Sequence, residues 1–147
     1  MPTVRKDPFR QYNFLVEFDG ITRAGFKECT GLESSQEIIE YREGGGPLAF
    51  SKLPGLARYS NIILRWGMTN DKDFWNWRKK AQDGTVERKN GSIILLDDTG
   101  AEKGRWDLVD SWPNNWIGPN FDATGNGVAI ETLEITHEGI SSNPTAA

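Results

Sequence analysis

The chain offers few residues of the types that carry out catalysis. It has one histidine, His137, and one cysteine, Cys29. A Ser-His-Asp site would need His137 as its base, but the sequence has no G-x-S-x-G turn to present a nucleophilic serine. We interpret His137 as a packing or solvent-edge residue at the end of a predicted strand, and Cys29 as a small buried strand residue.

Pairs of carboxylates are the other candidates for chemistry, since two acids can hydrolyse a glycosidic bond. The candidates are Asp97 with Asp98, and Asp107 with Asp110. Acids this close in sequence form a turn or point to opposite sides of a strand. We therefore expect no catalytic residue and no enzymatic activity.

Metal and cofactor sites are also not expected. A single histidine and a single cysteine do not supply the ligands of a structural zinc site. The glycines Gly44-Gly45-Gly46 are followed by Pro47 and Leu48 rather than by a helix start with lysine, so they match neither a Walker nor a dinucleotide fingerprint.

Composition indicates a soluble globular domain. The 147 residues are 37% hydrophobic, carry a net charge of −4 and contain no apolar run near the ~20 residues of a membrane helix. We expect one domain over residues 1–140, a flexible tail over 141–147, and no stable membrane association. No signal peptide is visible, so synthesis in the cytoplasm is expected.

The predicted elements are mostly strands. Tyr12, Phe14, Val16 and Phe18 share one face of a first strand, and Asp19-Gly20 predicts a hairpin turn with positive φ at both positions. Further strands are predicted at about 21–32, 36–42, 59–66, 85–89, 92–97, 105–112 and 128–138. Asn90-Gly91 is predicted to be a second hairpin turn, residues 113–127 a loop, and the final strand to contain a bulge or a change of buried face.

One helix is predicted at about residues 70–82. Thr69 or Asn70 is the expected cap, Phe74, Trp77 and Ala81 form an apolar stripe, and basic residues fill the last turn. The sum is a mainly β fold, a barrel or sandwich with one short α-helix.

The segment from Gly44 to Ala57 is apolar but interrupted by glycine and proline. Four glycines and two prolines predict an irregular loop, although the segment carries four large apolar residues and one charged residue, Lys52. Such a loop needs a surface to lie on, either the core of its own chain or another subunit.

The six tryptophans keep a second hypothesis open, because aromatic faces stack on sugar rings. Trp66, Trp77 and Trp106 fall at apolar-periodic positions typical of a core, while Trp112 and Trp116 are open to either interpretation. The alternative function is a monomeric carbohydrate-binding β-sandwich.

Taken in order, several segments over about residues 7–140 resemble the tail tube protein family of contractile injection systems, which includes contractile phage tails, extracellular injection particles and pyocin-type devices. The segments are Asp7-Pro8-Phe9, the run from Tyr12 to Gly20, Phe26 to Leu32, Leu53 to Leu56, Arg65 to Thr69, and Ile130 to Gly139. No single motif is diagnostic, but their order and spacing are specific.

The resemblance implies a structural protomer of a rigid inner tube. In the family, six protomers close into a ring, and rings stack into a hollow conduit inside a contractile sheath. Implied partners are further copies of the chain, the sheath protein, baseplate and tube-initiator proteins, and cargo or DNA passing through the lumen without sequence-specific binding.

The resemblance also implies roles for particular residues. The apolar segment is the expected inter-ring contact, through Leu48, Phe50, Leu53, Pro54 and Leu56. The candidates for charges facing the lumen are Glu37, Glu40 and Arg42, or Glu131 and Glu134, and either set could equally lie on an outer solvated face.

Overall fold

The computed structural model describes residues 14–42, 44, 48–125 and 127–142. Its elements in chain order are β1 Phe14–Phe18, β2 Ile21–Arg23, β3 Phe26–Thr30, β4 Ser34–Tyr41, β5 Ser51–Tyr59, β6 Ile62–Gly67, α1 Asp73–Gln82, β7 Lys89–Leu96, β8 Glu102–Ile117, β9 Ile130–Thr136 and β10 Gly139–Ser142. The prediction of a mainly β fold with one short helix is confirmed.

Eight of the strands form one antiparallel sheet in the order β2-β1-β7-β8-β9-β6-β3, with β10 added beside β8. The 16-residue strand β8 organises this sheet, because its first half pairs with β7 and β10 and its second half pairs with β9. The edge strands β2 and β3 are joined only by Ala24 and Gly25. The two ends of the sheet therefore meet in sequence.

The core lies between the inward faces of this sheet and the helix. Alternation in β1 buries Val16 and Phe18, as predicted, while Tyr12 lies outside the described residues. From α1, Phe74 and Trp77 enter the core, where the Phe18 ring meets both of them with centroid distances of 6.2 and 5.0 Å. These aromatic contacts attach the helix to the sheet.

The predicted helix is confirmed, but its predicted cap is wrong. Lys72 occupies the cap position without a side-chain hydrogen bond. The backbone N–H of Asp73 instead donates to Asp71 Oδ1 over 3.0 Å. Because the helix begins later than expected, Thr69 and Asn70 lie too far upstream to cap it.

The Asp19-Gly20 hairpin is confirmed, since Phe18 and Ile21 are cross-strand partners. Only Gly20 has a positive φ, 84°, so the expectation of positive φ at both positions is wrong. The second predicted turn, Asn90-Gly91, is wrong as well. Strand β7 continues through it, with a register shift against β8 between Lys89 and Gly91, and a Cβ on Gly91 would come within 2.3 Å of the Phe18 ring. This glycine provides space for an aromatic side chain rather than a turn.

The loop predicted at 113–127 begins later than expected, because β8 continues to Ile117. A register shift against β9 between Pro113 and Asn115 lets the strand accommodate a proline. The bulge predicted in the last strand therefore lies in β8, and β9 pairs with β6 without any shift. The buried face of β9 holds Leu133 and Ile135, whereas Val128 precedes the strand and is exposed.

The predicted tail starts inside a strand, since Ser141 and Ser142 pair with Asp107 and Trp106 as part of β10. Residues 143–147 lie outside the described residues. None of the described helical residues forms a helix long and apolar enough to cross a membrane.

Candidate assembly surface

The strands β4 and β5 form a separate two-stranded sheet, which we call the arm (residues 34–59). Its strands pair with each other from Ser34–Tyr59 at the base to Tyr41–Ser51 near the tip. Within the described residues, neither strand pairs with the main sheet. The arm corrects the expectation of an irregular loop, because residues 51–57 are strand; Gly45 to Pro47 lie outside the described residues.

A proline and a bulge explain why this strand looked irregular in sequence. Pro54 is tolerated because the arm has only two strands, so that β5 is an edge strand. A register shift between Gln36 and Ile38 places an extra residue in β5 beside Gly55, whose carbonyl accepts a hydrogen bond from Gln36 Nε2 over 3.0 Å. A Cβ on Gly55 would lie 2.9 Å from Glu37 Cβ, so the close approach of the strands requires glycine there.

Apolar side chains cover the arm and are not packed against the body. The exposed fraction is 88% for Leu48, 71% for Leu56, 57% for Phe50 and 46% for Leu53. Ile38, Ile39 and Tyr41 on β4 are exposed as well. Large exposed apolar side chains in this number on one element are typical of a site of protein contact.

The charges proposed for a lumen fall on two different elements. On the arm, Arg58 Nη2 donates to Glu37 Oε1 over 2.6 Å, Glu40 stands opposite Lys52, and Arg42 follows the strand end. The structure does not bring these residues together with the second set, which lies on β9.

The second set lies on β9, and one of its two members accepts side-chain hydrogen bonds. Glu131 stands opposite Trp66, and Glu134 accepts hydrogen bonds from Asn61 Nδ2 over 2.7 Å and from Asn115 Nδ2 over 3.3 Å. Glu131 and Glu134 are both half-buried.

His137 fastens the base of the arm to the main sheet. The ring is buried, with Nε2 3.0 Å from the carbonyl oxygen of Ser60 and Nδ1 3.1 Å from that of Gly139. Tyr59 packs against it at a centroid distance of 5.6 Å. Ser60 Oγ also donates to Glu33 Oε2 over 2.8 Å. His137 is thus a packing residue, as predicted, and its particular role is to position the arm.

An apolar cavity of about 480 Å³ lies beside the same base. We call it the base pocket. Its apolar walls come from β1, β3, β7, β8 and the residue just before the arm, and comprise Phe14, Cys29, Leu32, Ile93, Leu95 and Trp106. Lys27, Glu28 and Thr30 complete the lining. The sequence analysis missed this pocket, because it depends on the curvature of the sheet.

A second exposed apolar group was also missed. Ile117, Phe121 and Val128 at the ends of β8 and β9 have exposed fractions of 54, 78 and 71%. The sequence from 113 to 127 is rich in Asn, Gly and Pro and carries only a few apolar residues, and this pattern does not distinguish a buried from an exposed side chain.

The residues considered for catalysis are engaged in hydrogen bonds or packing within the fold. Asp97 Oδ1 accepts hydrogen bonds from Thr99 Oγ1, Thr99 N and Ala101 N, which hold its pKa below the usual value and order a tight turn. Asp107 Oδ1 accepts from Ser92 Oγ over 2.7 Å. Burial raises the pKa of the Cys29 thiol to about 12. The described residues contain no cluster of His, Cys, Asp or Glu suited to a metal ion.

The tryptophans do not form a sugar-binding platform. Trp66 and Trp77 are buried in the core, and Trp106 packs against it. Trp112 is half-buried, and Trp116 lies 4.6 Å from Trp75 between ring centroids. The stacking faces that a carbohydrate would need are therefore largely used within the fold.

The fold thus consists of an antiparallel sheet, one packed helix and an arm with exposed apolar side chains. The model of the T4-like virus tail tube protein gp19 family matches residues 10–141. The chain belongs to this family, whose members are structural tube proteins and not enzymes. It is a tail tube protein of contractile injection systems, as the sequence analysis predicted.

Solved structures agree with this assignment. A chain of the PVC sheath–tube complex in the extended state, from an extracellular contractile injection system, is 28% identical with a TM-score of 0.85, and the match covers 94% of this chain and 93% of that one. A chain of the anti-feeding prophage tube-terminating cap is 26% identical with a TM-score of 0.85, over 99% and 97% of the two chains.

More distant structures share only the fold. Hcp1 from Flavobacterium johnsoniae is 18% identical with a TM-score of 0.56, over 91% of this chain and 97% of that one. No curated protein sequence matches the chain. Nothing in the comparisons supports the carbohydrate-binding alternative.

Proposed function

We propose that this chain is the repeating subunit of an inner tube, in which six copies close into a ring and the rings stack through the arm. The observation that carries the proposal is the apolar arm, which projects from a well-packed core with Leu48, Phe50, Leu53 and Leu56 exposed. A ring requires each subunit to present different surfaces to its two neighbours, and stacking requires two more. The arm and the exposed group at Ile117, Phe121 and Val128 are two such surfaces.

Pro54 belongs to the same contact for a different reason. It removes one backbone N–H from β5, so the arm contacts its partner at that point through side chains rather than by strand addition. Leu53 and Leu56 flank it and supply the apolar area.

We infer the partners from the complexes in which the similar chains were solved. The PVC chain is part of a sheath–tube complex, and the AFP chains come from a baseplate and from a tube cap. We extend this to the present chain, which would then contact a contractile sheath protein, baseplate and tube-initiating proteins, and a terminating protein. The chain would then be a component of a phage tail or a phage-like injection particle.

For the lumen, the pair Glu131 and Glu134 fits better than the arm charges Glu37, Glu40 and Arg42. The β9 pair sits in a continuous sheet that can line a channel, whereas the arm is occupied in stacking. A negative wall also repels the phosphates of passing DNA and so prevents adhesion.

The arm is tested by Leu53→Asp. Burying a carboxylate in an apolar contact is costly, so this variant should keep its near-UV circular dichroism and form rings but no tubes in negative-stain electron microscopy. Val86→Asp, an equally exposed apolar position away from the arm, is the matched control and should form tubes. Tubes of normal length from Leu53→Asp would contradict the proposal, and loss of rings would move the arm contact to within one ring.

The lumen is tested by Glu131→Cys in a Cys29→Ser background. In assembled tubes a small maleimide should label residue 131, while a maleimide bearing a long polymer should not. Both reagents should label dissociated subunits. Equal labelling of tubes by the two reagents would place Glu131 on the outer surface.

A further inference from the structure

The base pocket is an open cavity whose walls are mostly apolar. Its floor includes the cross-strand pair Phe14 and Leu95, and its wall includes Trp106. Its volume of about 480 Å³ lies in the range that accepts an organic ligand, and so exceeds what one Leu or Phe side chain needs. Apolar surface of this kind gains free energy when an apolar group excludes its water.

The arm tip presents a group of matching chemistry. Leu48, Ala49 and Phe50 are uncharged and exposed, with Leu48 the most exposed large apolar residue in the described part of the chain at 88%. A Phe side chain alone buries ~150 Å² or more when it enters a pocket.

A chain cannot place its own tip in its own pocket. Leu32 lines the pocket and the arm begins two residues later, at Ser34. The eight residues of β4 carry the tip about 26 Å away, at ~3.3 Å per residue. The occupant that the geometry allows is therefore the tip of a second copy.

Charges beside the two features are complementary. Lys27 lies at the rim of the pocket, and Glu40 lies one residue from the end of β4, next to the tip. Both side chains are exposed, and Glu40 faces Lys52 across the two strands of the arm. A docked tip brings a carboxylate close to an ammonium group and fixes its orientation.

We infer that Leu48 and Phe50 at the arm tip insert into the base pocket of a neighbouring copy, with Glu40 of one subunit paired to Lys27 of the other. This inference rests on the proposed tube function and identifies the site on the neighbouring subunit that binds the arm tip. Because tip and pocket are different surfaces, the contact is head-to-tail and repeats from subunit to subunit.

The experiment uses full-length protein and tube growth followed by light scattering. Lys27→Glu and Glu40→Lys should each lower the rate at least about tenfold through like-charge contact, and the double variant should return to within about threefold of the wild type. Lys79→Glu, a reversal on the exposed helix face, is the matched control and should leave the rate unchanged.

A second measurement replaces Phe50 with p-benzoylphenylalanine. On irradiation of tubes, cross-linked peptides should contain Cys29, Leu32 or Trp106. Tubes whose cross-links lie elsewhere, or charge variants whose effects simply add in the double variant, overturn this inference while leaving the tube function intact. Wild-type protein that forms neither rings nor tubes overturns both.

Discussion

His137 Nε2 lies 3.0 Å from the carbonyl oxygen of Ser60, at the point where the arm leaves the main sheet. The opposite ring nitrogen faces the carbonyl oxygen of Gly139 at 3.1 Å. Because a neutral imidazole has only one N–H, the ring donates to both oxygens only when it is protonated. His137 thus links the residue that follows the arm to the segment between β9 and β10.

Replacing this side chain by an aromatic ring without donors tests its role. His137→Phe should lower the free energy of unfolding by about 1–3 kcal/mol, since the Ser60 carbonyl loses its partner in a buried position. Amide hydrogen exchange near Ser60 should accelerate. Glu138→Gln, at the exposed neighbouring position, should change neither quantity, and an equal effect in that control would contradict the assignment.

Gly91 should not tolerate a side chain. In Gly91→Ala the new Cβ would meet the Phe18 ring at 2.3 Å, so the variant should lose at least about 1–3 kcal/mol of stability through overpacking. Gly67→Ala is the control, because its Cβ would meet only Val128 at an ordinary 3.8 Å. Urea unfolding monitored by tryptophan fluorescence compares them, and equal midpoints would refute the packing argument.

Arg23 is held by aromatic rings more than by its acid. Its guanidinium carbon lies 5.0 Å from the Trp66 ring centroid and 5.4 Å from that of Phe74, while Asp71 is 3.7 Å away and partly exposed. Arg23→Ala should therefore cost about 2 kcal/mol and Asp71→Asn under about 1 kcal/mol. The reverse order in thermal or urea unfolding would show that the ion pair dominates.

Cys29 should be nearly inert in the folded protein. Burial, reinforced by the nearby Glu28 charge, raises the pKa of the thiol from 9.0 to about 12. The thiolate fraction near pH 8 falls about a thousandfold, and alkylation by iodoacetamide should slow accordingly relative to urea-unfolded protein.

The same shift sets a pH dependence. A raised pKa favours the protonated thiol in the folded state, so its contribution to stability is complete below pH 9.0 and is lost as the pH rises towards about 12. The wild type should lose stability relative to Cys29→Ala over that interval. Parallel stability curves for the two proteins would rule out a titrating Cys29.

Local patterns predicted the elements that local physics determines. Alternation in β1 and the apolar stripe of α1 record which faces are buried, and both were predicted from sequence. The turn at Asn90-Gly91 was predicted wrongly because the glycine is needed for a different reason. It leaves room for the ring of Phe18, a residue distant in sequence. Pro54 and Gly55 suggested a loop because sequence alone does not show that a strand belongs to a two-stranded sheet.

The candidate site also has features that local sequence predicts and features that depend on residues distant in sequence. The exposed apolar residues Leu48, Phe50, Leu53 and Leu56 were identifiable from their spacing among glycines and prolines. The pocket beside the base of the arm was not, since Phe14, Leu32 and Trp106 meet only through the curvature of the sheet. His137 was recognised as a packing residue, but its bond to Ser60 spans 77 positions along the chain.

The bulge at Gly55 and the proline before it have a consequence for newly made subunits. A flat two-stranded ribbon with an apolar surface would be a template for disordered fibrils, because its free edges invite other strands. The missing N–H of Pro54 and the local twist at Gly55 break that template midway along the arm. If rings stack through the arm as proposed, a free subunit can therefore keep its arm exposed in solution without forming disordered strand pairs before it joins a tube.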